Sequence, residues 1–387
     1  MKISLYALAF CLAASTVSAQ TPVTLKAPDG LTLKATYSSA EKPGPGLVLL
    51  HQCNQDKSGW AGFAAKAAAR GYHVIAMDYR GFGESEGARF SASPDTAAER
   101  QATVAEKWPG DVDTAFAWLV KQPGVDGSKI GAAGASCGVN QAVLFSARHP
   151  EVKSLVLLSG GVTPAARAHL QKVAVLPVLA AGSTEDGDIV DTMRWILGWA
   201  HDPRNKFLQF TGAGHGTEMF APEKTLEPQL LDWFDATLLR PQTTTPPASM
   251  TSSKPSPVED FWAALSQPGG AAKARALYDA SKKSGASNVV LFPETELNAY
   301  GYQMMQDGRG KEAIIAFQMN VDEFPQSANA HDSLSDGYLA DGNKVEALKH
   351  AEKALALLPQ DARLREEGKA LVRESAQRKV DQLKKIL

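Results

Sequence analysis

The sequence predicts an α/β domain built on a mostly parallel sheet with helices on both faces, followed by an all-α domain. Three observations predict this. Short β-rich apolar runs alternate with Ala-rich helical stretches from Val23 to Leu239, a Pro/Ser/Thr-dense stretch follows, and a helical pattern then recurs at a fixed interval. The 387 residues leave room for about two or three domains. With 44% hydrophobic and 21% charged residues, the composition excludes disordered, collagen-like and coiled-coil chains. A formal net charge of −2 gives no electrostatic reason to expect nucleic acid or an acidic membrane surface as partner.

Residues 1–19 read as a secretory signal peptide. Lys2 supplies the positive start, residues 3–14 carry no charge, and Val17-Ser18-Ala19 has the small-x-small pattern cut before Gln20. The apolar run is too short to span a hydrocarbon layer of about 30 Å as a helix. Cys11 does not make a lipoprotein signal, because Phe10 before it is too bulky. The alternative is a retained N-terminal anchor. Export implies a secreted or periplasmic protein with no membrane span after cleavage.

The next segment, residues 20–240, forms the α/β domain. Residues 23–27 and 31–37 straddle Asp29-Gly30, a hairpin signal at an antiparallel edge. Residues 46–50 (GLVLL), 72–77 (YHVIAM), 129–133 (KIGAA), 154–158 (SLVLL), 175–181 (VLPVLAA) and 206–210 (KFLQF) read as buried strands. Helical patterns over 62–70, 111–120 and 141–148 lie between them. Continuous apolar strands separated by helices indicate a parallel sheet covered on both faces.

Residues 241–257, PQTTTPPASMTSSKPSP, hold only Met250 as a long apolar side chain and form an extended linker. In residues 258–387, Asp307-Gly308 recurs as Asp341-Gly342, Glu312-Ala313 as Glu346-Ala347 and Pro325 as Pro359, always at the same offset. Each unit reads as two amphipathic helices broken at Asp-Gly, with Ala313 and Ala347 where paired helices approach closely. The offset equals the period of tetratricopeptide repeats, which the pattern resembles. Residues 258–293 read as a degenerate pair before the two units, and 361–387 as a cap helix.

Gly-x-Ser-x-Gly occurs twice. Gly83-Glu84-Ser85-Glu86-Gly87 has carboxylates on both sides of its serine, which repel a developing oxyanion, so Ser85 reads as a solvated turn residue. Gly134-Ala135-Ser136-Cys137-Gly138 lies between strand 129–133 and a helix from Val139, the context of a nucleophile elbow. The serine needs a base, and the base an orienting acid; in the fold class of a nucleophile elbow their chain order is serine, acid, histidine. Among the histidines after Ser136, His215 sits in Thr211-Gly212-Ala213-Gly214-His215-Gly216, a glycine-rich loop after the last strand. His149, His169 and His201 occupy helical or polar contexts, and His331 and His350 lie in the repeats. The acid belongs to Gly182-Ser183-Thr184-Glu185-Asp186-Gly187-Asp188 after the preceding strand. Asp186 is favoured because Gly187 permits a sharp turn, with Glu185 and Asp188 as alternatives. Asp188 reads as the cap of helix 189–199. The oxyanion donors are the N–H groups of Cys137 and of Cys53, in loop His51-Gln52-Cys53-Asn54. His51 precedes Ser136 and reads as a brace for that loop.

On these residues, segment 21–240 resembles the α/β-hydrolase superfamily, closest to dienelactone-hydrolase-like and small serine esterase members. The run Asp78-Tyr79-Arg80-Gly81-Phe82-Gly83-Glu84-Ser85 is similar to a loop recurring there. The resemblance implies an α/β-hydrolase fold and a Ser136–His215–Asp186 hydrolase that needs no cofactor and takes a small acyl substrate. Two departures matter. Dienelactone hydrolases proper use cysteine where this chain has Ser136, so their substrate does not carry over. The usual His-Gly before the oxyanion donor is His51-Gln52.

After signal cleavage only Cys53 and Cys137 remain, and the fold brings both to the oxyanion hole. In an oxidising compartment they pair or stay as two buried thiols, and the sequence leaves both open. No Cys-x-x-Cys or His-x-x-x-His pairing indicates a metal. The stretch between strands 154–158 and 175–181 is too short for a large lid. The polar insertion 87–108 borders the opening. A second reading makes the chain a cell-envelope interaction module, with a protein or peptide partner on the repeats and an idle hydrolase domain.

Overall fold

The computed structural model describes residues 20–90, 97–240, 255–285 and 289–387. The signal-peptide reading of residues 1–19, residues 241–254 of the expected linker and residues 91–96 of the polar insertion lie outside the described residues.

The first part is an eight-stranded sheet. β1 (Gln20–Lys26) and β2 (Thr32–Ser38) form an antiparallel hairpin, with Gly30 at φ 85° in the connection. There follow β3 (Gly44–Leu50), α1 (Ala61–Ala69), β4 (His73–Met77), α2 (Ala97–Ala102), α3 (Trp108–Leu119), β5 (Val125–Ala135), α4 (Cys137–Arg148) and β6 (Val152–Leu158). Next come α5 (Pro164–Lys172), β7 (Val178–Ser183), α6 (Ile189–Leu197), β8 (Lys206–Phe210) and α7 (Leu226–Phe234). Spatial order is β1-β2-β4-β3-β5-β6-β7-β8; β2 runs antiparallel to β4, and β4 to β8 are parallel. Every residue of β4 and the last six of β5 are buried, as a sheet covered on both faces requires. One face packs on α3 and α4 through Ile130, Val143 and Phe145, the other on α1 and α7 through Phe63, Ala133 and Phe234. The elbow helix starts at Cys137, two residues before the periodicity indicates, and α6 stops two residues before Trp199.

The C-terminal part contains α8 (Pro257–Ser266), α9 (Ala271–Lys283), α10 (Glu294–Gln306), α11 (Gly310–Glu323), α12 (Ala328–Ala340), α13 (Lys344–Leu357) and α14 (Glu366–Leu383). Pro257 is the first helical residue rather than the end of a linker. Ser256 caps Glu259 N–H, and Glu259 returns the bond to Ser256 N–H, so proline occupies the position where a missing N–H costs nothing. The step from α10 to α12 equals the step from α11 to α13, at both the starts and the ends of the helices. Close packing explains the small residues in these units. Ala313 and Ala347 are fully buried, and a Cβ on Gly301 would stand 2.4 Å from the Phe317 ring.

The two parts are packed together. The core on the α3/α4 face runs on through Trp195 of α6 into Phe261, Trp262 and Phe317. Trp195 and Trp262 have ring centroids 5.6 Å apart, and the Arg167 guanidinium lies 4.9 Å over Trp195. Polar links cross the same boundary: Ser256 Oγ donates to Gly198 O at 2.6 Å, His201 Nε2 lies 3.0 Å from Glu259 Oε1, and Arg167 donates to Glu296 at 3.3 Å.

Candidate active site

Ser136 sits at the turn between β5 and α4 with φ 51° and ψ −118°, a strained conformation for a residue with a side chain. Its neighbours in the motif must be glycine. A Cβ on Gly134 would meet Gly138 O at 2.1 Å, and one on Gly138 would meet Leu50 O at 2.4 Å. The turn is held by Ser136 N–H donating to Leu158 O at 2.8 Å and Val139 N–H donating to Ser136 O at 2.9 Å. Cys137 opens α4, so its N–H has no partner within the helix.

His215 follows β8. Its Nδ1 lies 2.5 Å from Asp186 Oδ2, with His215 one quarter exposed and Asp186 8% exposed. A carboxylate only accepts, so Nδ1 carries a proton, and in the neutral imidazole this tautomer leaves the lone pair on Nε2. A Cβ on Gly216 would stand 2.2 Å from Gln52 Oε1 and 3.3 Å from Ala135 Cβ. The residue after His215 therefore packs against the residue before Ser136. Ser136 Oγ and His215 Nε2 are not hydrogen-bonded to each other, and such pairs commonly tighten only around substrate.

The other two acid candidates do different work. Glu185 accepts from Ser183 Oγ (2.6 Å), Gly212 N–H (2.7 Å) and Gly214 N–H (2.6 Å), and so holds the loop that carries His215. Desolvation pushes its pKa up, but the hydrogen bonds from Ser183, Gly214 and Gly212 outweigh it and hold the group down at about 2. Asp188 occupies the first cap position of α6, yet its side chain makes no capping bond. It accepts instead from Thr295 Oγ1 of α10 at 2.5 Å, because the helical region offers a hydroxyl at that place.

The loop after β3 is fixed from three sides. Cys53 is disulfide-bonded to Cys137, joining the loop to the first residue of the elbow helix. Gln52, fully buried, accepts from Thr217 N–H and Oγ1 and donates to Asn54 and Glu218. His51 donates from Nδ1 to Gln52 O at 2.8 Å and accepts Tyr79 N–H on Nε2 at 3.1 Å. Burial pulls its pKa down, which suits a neutral brace.

Ser85 is 6% exposed, so the solvated-turn expectation is corrected. Its Oγ donates to Asp78 O and accepts from Lys34 N–H, tying a turn beside Tyr79. The remaining candidate histidines are spent elsewhere: His149 on Asp113, His169 on Ser146, His201 on Glu259, and His331 on His350. No group of three metal-ligating side chains occurs among the described residues, and no described helix is long and apolar enough to cross a membrane.

A cleft of about 360 Å³ lies against His215 and Asp186, and its far wall is the helical region. Thr295, Asn329 and the segment 362–365 form that wall, with Arg365 Nη2 3.5 Å from Asp186 Oδ1 and Arg363 Nη2 3.3 Å from Asp191 Oδ2. Sequence reasoning did not find Glu185 as a loop holder, Gln52 as a staple or this wall. The repeat spacing was the one available signal for the last.

Residues 45–181 match the family model described as alpha/beta hydrolase fold. The chain has an α/β-hydrolase fold, followed by a helical C-terminal region. A thiohydrolase of Aspergillus aculeatus is 35% identical over 109 residues, a stretch spanning 28% of this chain and 31% of that relative. Among solved structures, an esterase of Pyrococcus furiosus is 13% identical, covered over 57% of this chain and 91% of its own, with a TM-score of 0.46. A dienelactone hydrolase of Anabaena variabilis is 16% identical, covered over 57% and 98%, with a TM-score of 0.44.

Proposed function

We infer that the protein is a serine hydrolase that cleaves an ester, thioester or amide through an acyl-enzyme, carboxylic esters being the first choice. The observation that carries this reading is the Asp186–His215 pair, whose loop packs beside the strained elbow of Ser136. Ser136 Oγ attacks the substrate carbonyl while His215 Nε2 takes its proton, and Asp186 holds the resulting imidazolium. The N–H groups of Cys53 and Cys137 receive the oxyanion. Collapse of the tetrahedral species expels the leaving group, which takes the proton from His215. Water, deprotonated in turn by His215, releases the acid and restores Ser136.

Export is part of the proposal, supported by the Cys53–Cys137 bond, since disulfides persist in oxidising compartments. The helical units, whose ends match at one regular interval, support a tetratricopeptide-like assignment. Fluorophosphonate labelling of the mature chain, with peptide mapping, tests the catalytic reading. We expect the adduct on Ser136 and none in Ser136→Ala. A folded wild type that takes no label overturns it.

A further inference from the structure

We propose that the helical region supplies the wall that selects the leaving alcohol, and that this alcohol bears hydroxyl groups rather than an alkyl chain. The proposal rests on the serine-hydrolase reading and deepens it.

Three positions carry it. Thr295 and Asn329 are the second residues of α10 and α12, and Arg363 lies one further period on, before α14. The same place in two consecutive units, Thr295 and Asn329, faces one cleft together with Arg363 from the segment that leads into α14, and His215 and Asp186 stand opposite. Helices repeated at one period stack in register, and their corresponding ends form a continuous edge. That edge lies against the loops after β7 and β8. Thr295 bonds Asp188, Asn329 Nδ2 bonds Glu294 Oε1 at 3.2 Å, and Arg363 pairs with Asp191 of α6.

The lining gives the chemistry. Its large apolar side chains are Ile189 and Leu364 alone, too few to bury an alkyl chain. Carboxylates outnumber arginines there, four (Glu185, Asp186, Asp188, Glu294) to two (Arg363, Arg365), which disfavours an anionic group. What fits is a neutral group that donates and accepts hydrogen bonds. Arg365, with 82% of its side chain exposed, offers further N–H groups beyond its contact with Asp186.

Position says which part of the substrate this is. The lining includes His215 but not Ser136. The acyl group is bonded to Ser136, whereas the leaving oxygen takes its proton from His215. A substrate group that reaches this cleft, past His215 and away from Ser136, therefore belongs to the leaving alcohol and not to the acyl group.

The test uses two esters with one acyl group, glycerol 1-monobutyrate and hexyl butyrate, on the full mature chain, Asn329→Ala and Arg365→Ala. The readout is the ratio of kcat/KM between the esters, in which any effect of Arg365 on Asp186 cancels. We expect wild type to favour the glycerol ester. Each substitution should lower the ratio about three- to tenfold, the worth of one lost hydrogen bond. Fluorophosphonate labelling of Ser136 runs in parallel. Label on Ser136 with an unchanged ratio in both variants, or a wild type that prefers the hexyl ester, overturns this proposal alone. A wild type unlabelled at Ser136 overturns the hydrolase reading and this one with it.

Discussion

Cys53 and Cys137 are covalently joined, so the loop after β3 and the first turn of the elbow helix cannot move apart. Each of these residues carries one backbone N–H proposed to receive the oxyanion. Preorganised donors work because they need no rearrangement as charge develops.

Reduction of this bond, or the pair Cys53→Ser and Cys137→Ser, should lower kcat while leaving KM nearly unchanged. Loss of a full oxyanion donor costs about a hundredfold or more, and loosening two should cost about tenfold. The bond spans a sequence separation of 84, so the chain-entropy contribution it removes is at most about 4–5 kcal/mol. Kinetics and urea unfolding with and without reductant measure both. Equal kcat in the two redox states would dissociate the bond from the oxyanion site.

Glu185→Gln should slow turnover more than it weakens substrate binding. Glutamine has one oxygen to accept with, while Glu185 uses two, against Ser183 Oγ, Gly212 N–H and Gly214 N–H. The effect has a pH signature. The carboxyl group is held down at about 2 in the folded chain from 4.5, so its contribution to stability is complete above about pH 4.5 and lost as pH falls toward 2. Melting temperatures of wild type and variant should differ at neutral pH and converge across that window. A constant gap from pH 7 to pH 2 would remove Glu185 from its assigned place.

The sheet could be read from the sequence because parallel strands are apolar on both faces, as in residues 46–50 and 154–158, and such runs have few other destinations. Helix ends in the C-terminal part followed from repetition: Asp307-Gly308 and Asp341-Gly342 stop α10 and α12 at the same place in each unit. The site was legible only to the level of loops. Glu185, Asp186 and Asp188 share one short turn, and pattern cannot tell which carboxylate meets an imidazole 29 residues later. The partner of Asp188 is 107 residues away, on Thr295, beyond any local rule. Ser85 departs from its sequence pattern for a related reason. Flanking carboxylates suggest solvent, whereas Lys34 N–H and Asp78 O enclose the hydroxyl.

Gln52→Leu should destabilise the protein and lower activity together. The Gln52 amide bonds Asn54, just after Cys53, and through its Oε1 accepts Thr217 N–H in the turn after His215. Removing it leaves Thr217 N–H buried without its acceptor, at a cost of about 1–3 kcal/mol. Chemical denaturation gives the stability change, and single-turnover acylation gives the effect on the site. An unchanged stability would mean that Thr217 finds another acceptor.

The full chain should unfold in one transition. Trp262 is 8% exposed, with its ring against Trp195 and its Nε1–H donating to Leu291 O at 2.9 Å, so it belongs to the core of both parts. Trp262→Ala removes a buried aromatic side chain and should cost about 3–5 kcal/mol. Because α6 carries Trp195 and starts directly after the Asp186 turn, that loss should also reduce kcat without any change at Ser136, Asp186 or His215. Far-UV circular dichroism and tryptophan fluorescence of the wild type should report coincident midpoints, the mark of a single cooperative unit. An interaction module merely tethered to a hydrolase predicts the reverse: two separate transitions, and a Trp262→Ala variant with full activity and loss confined to the helical signal.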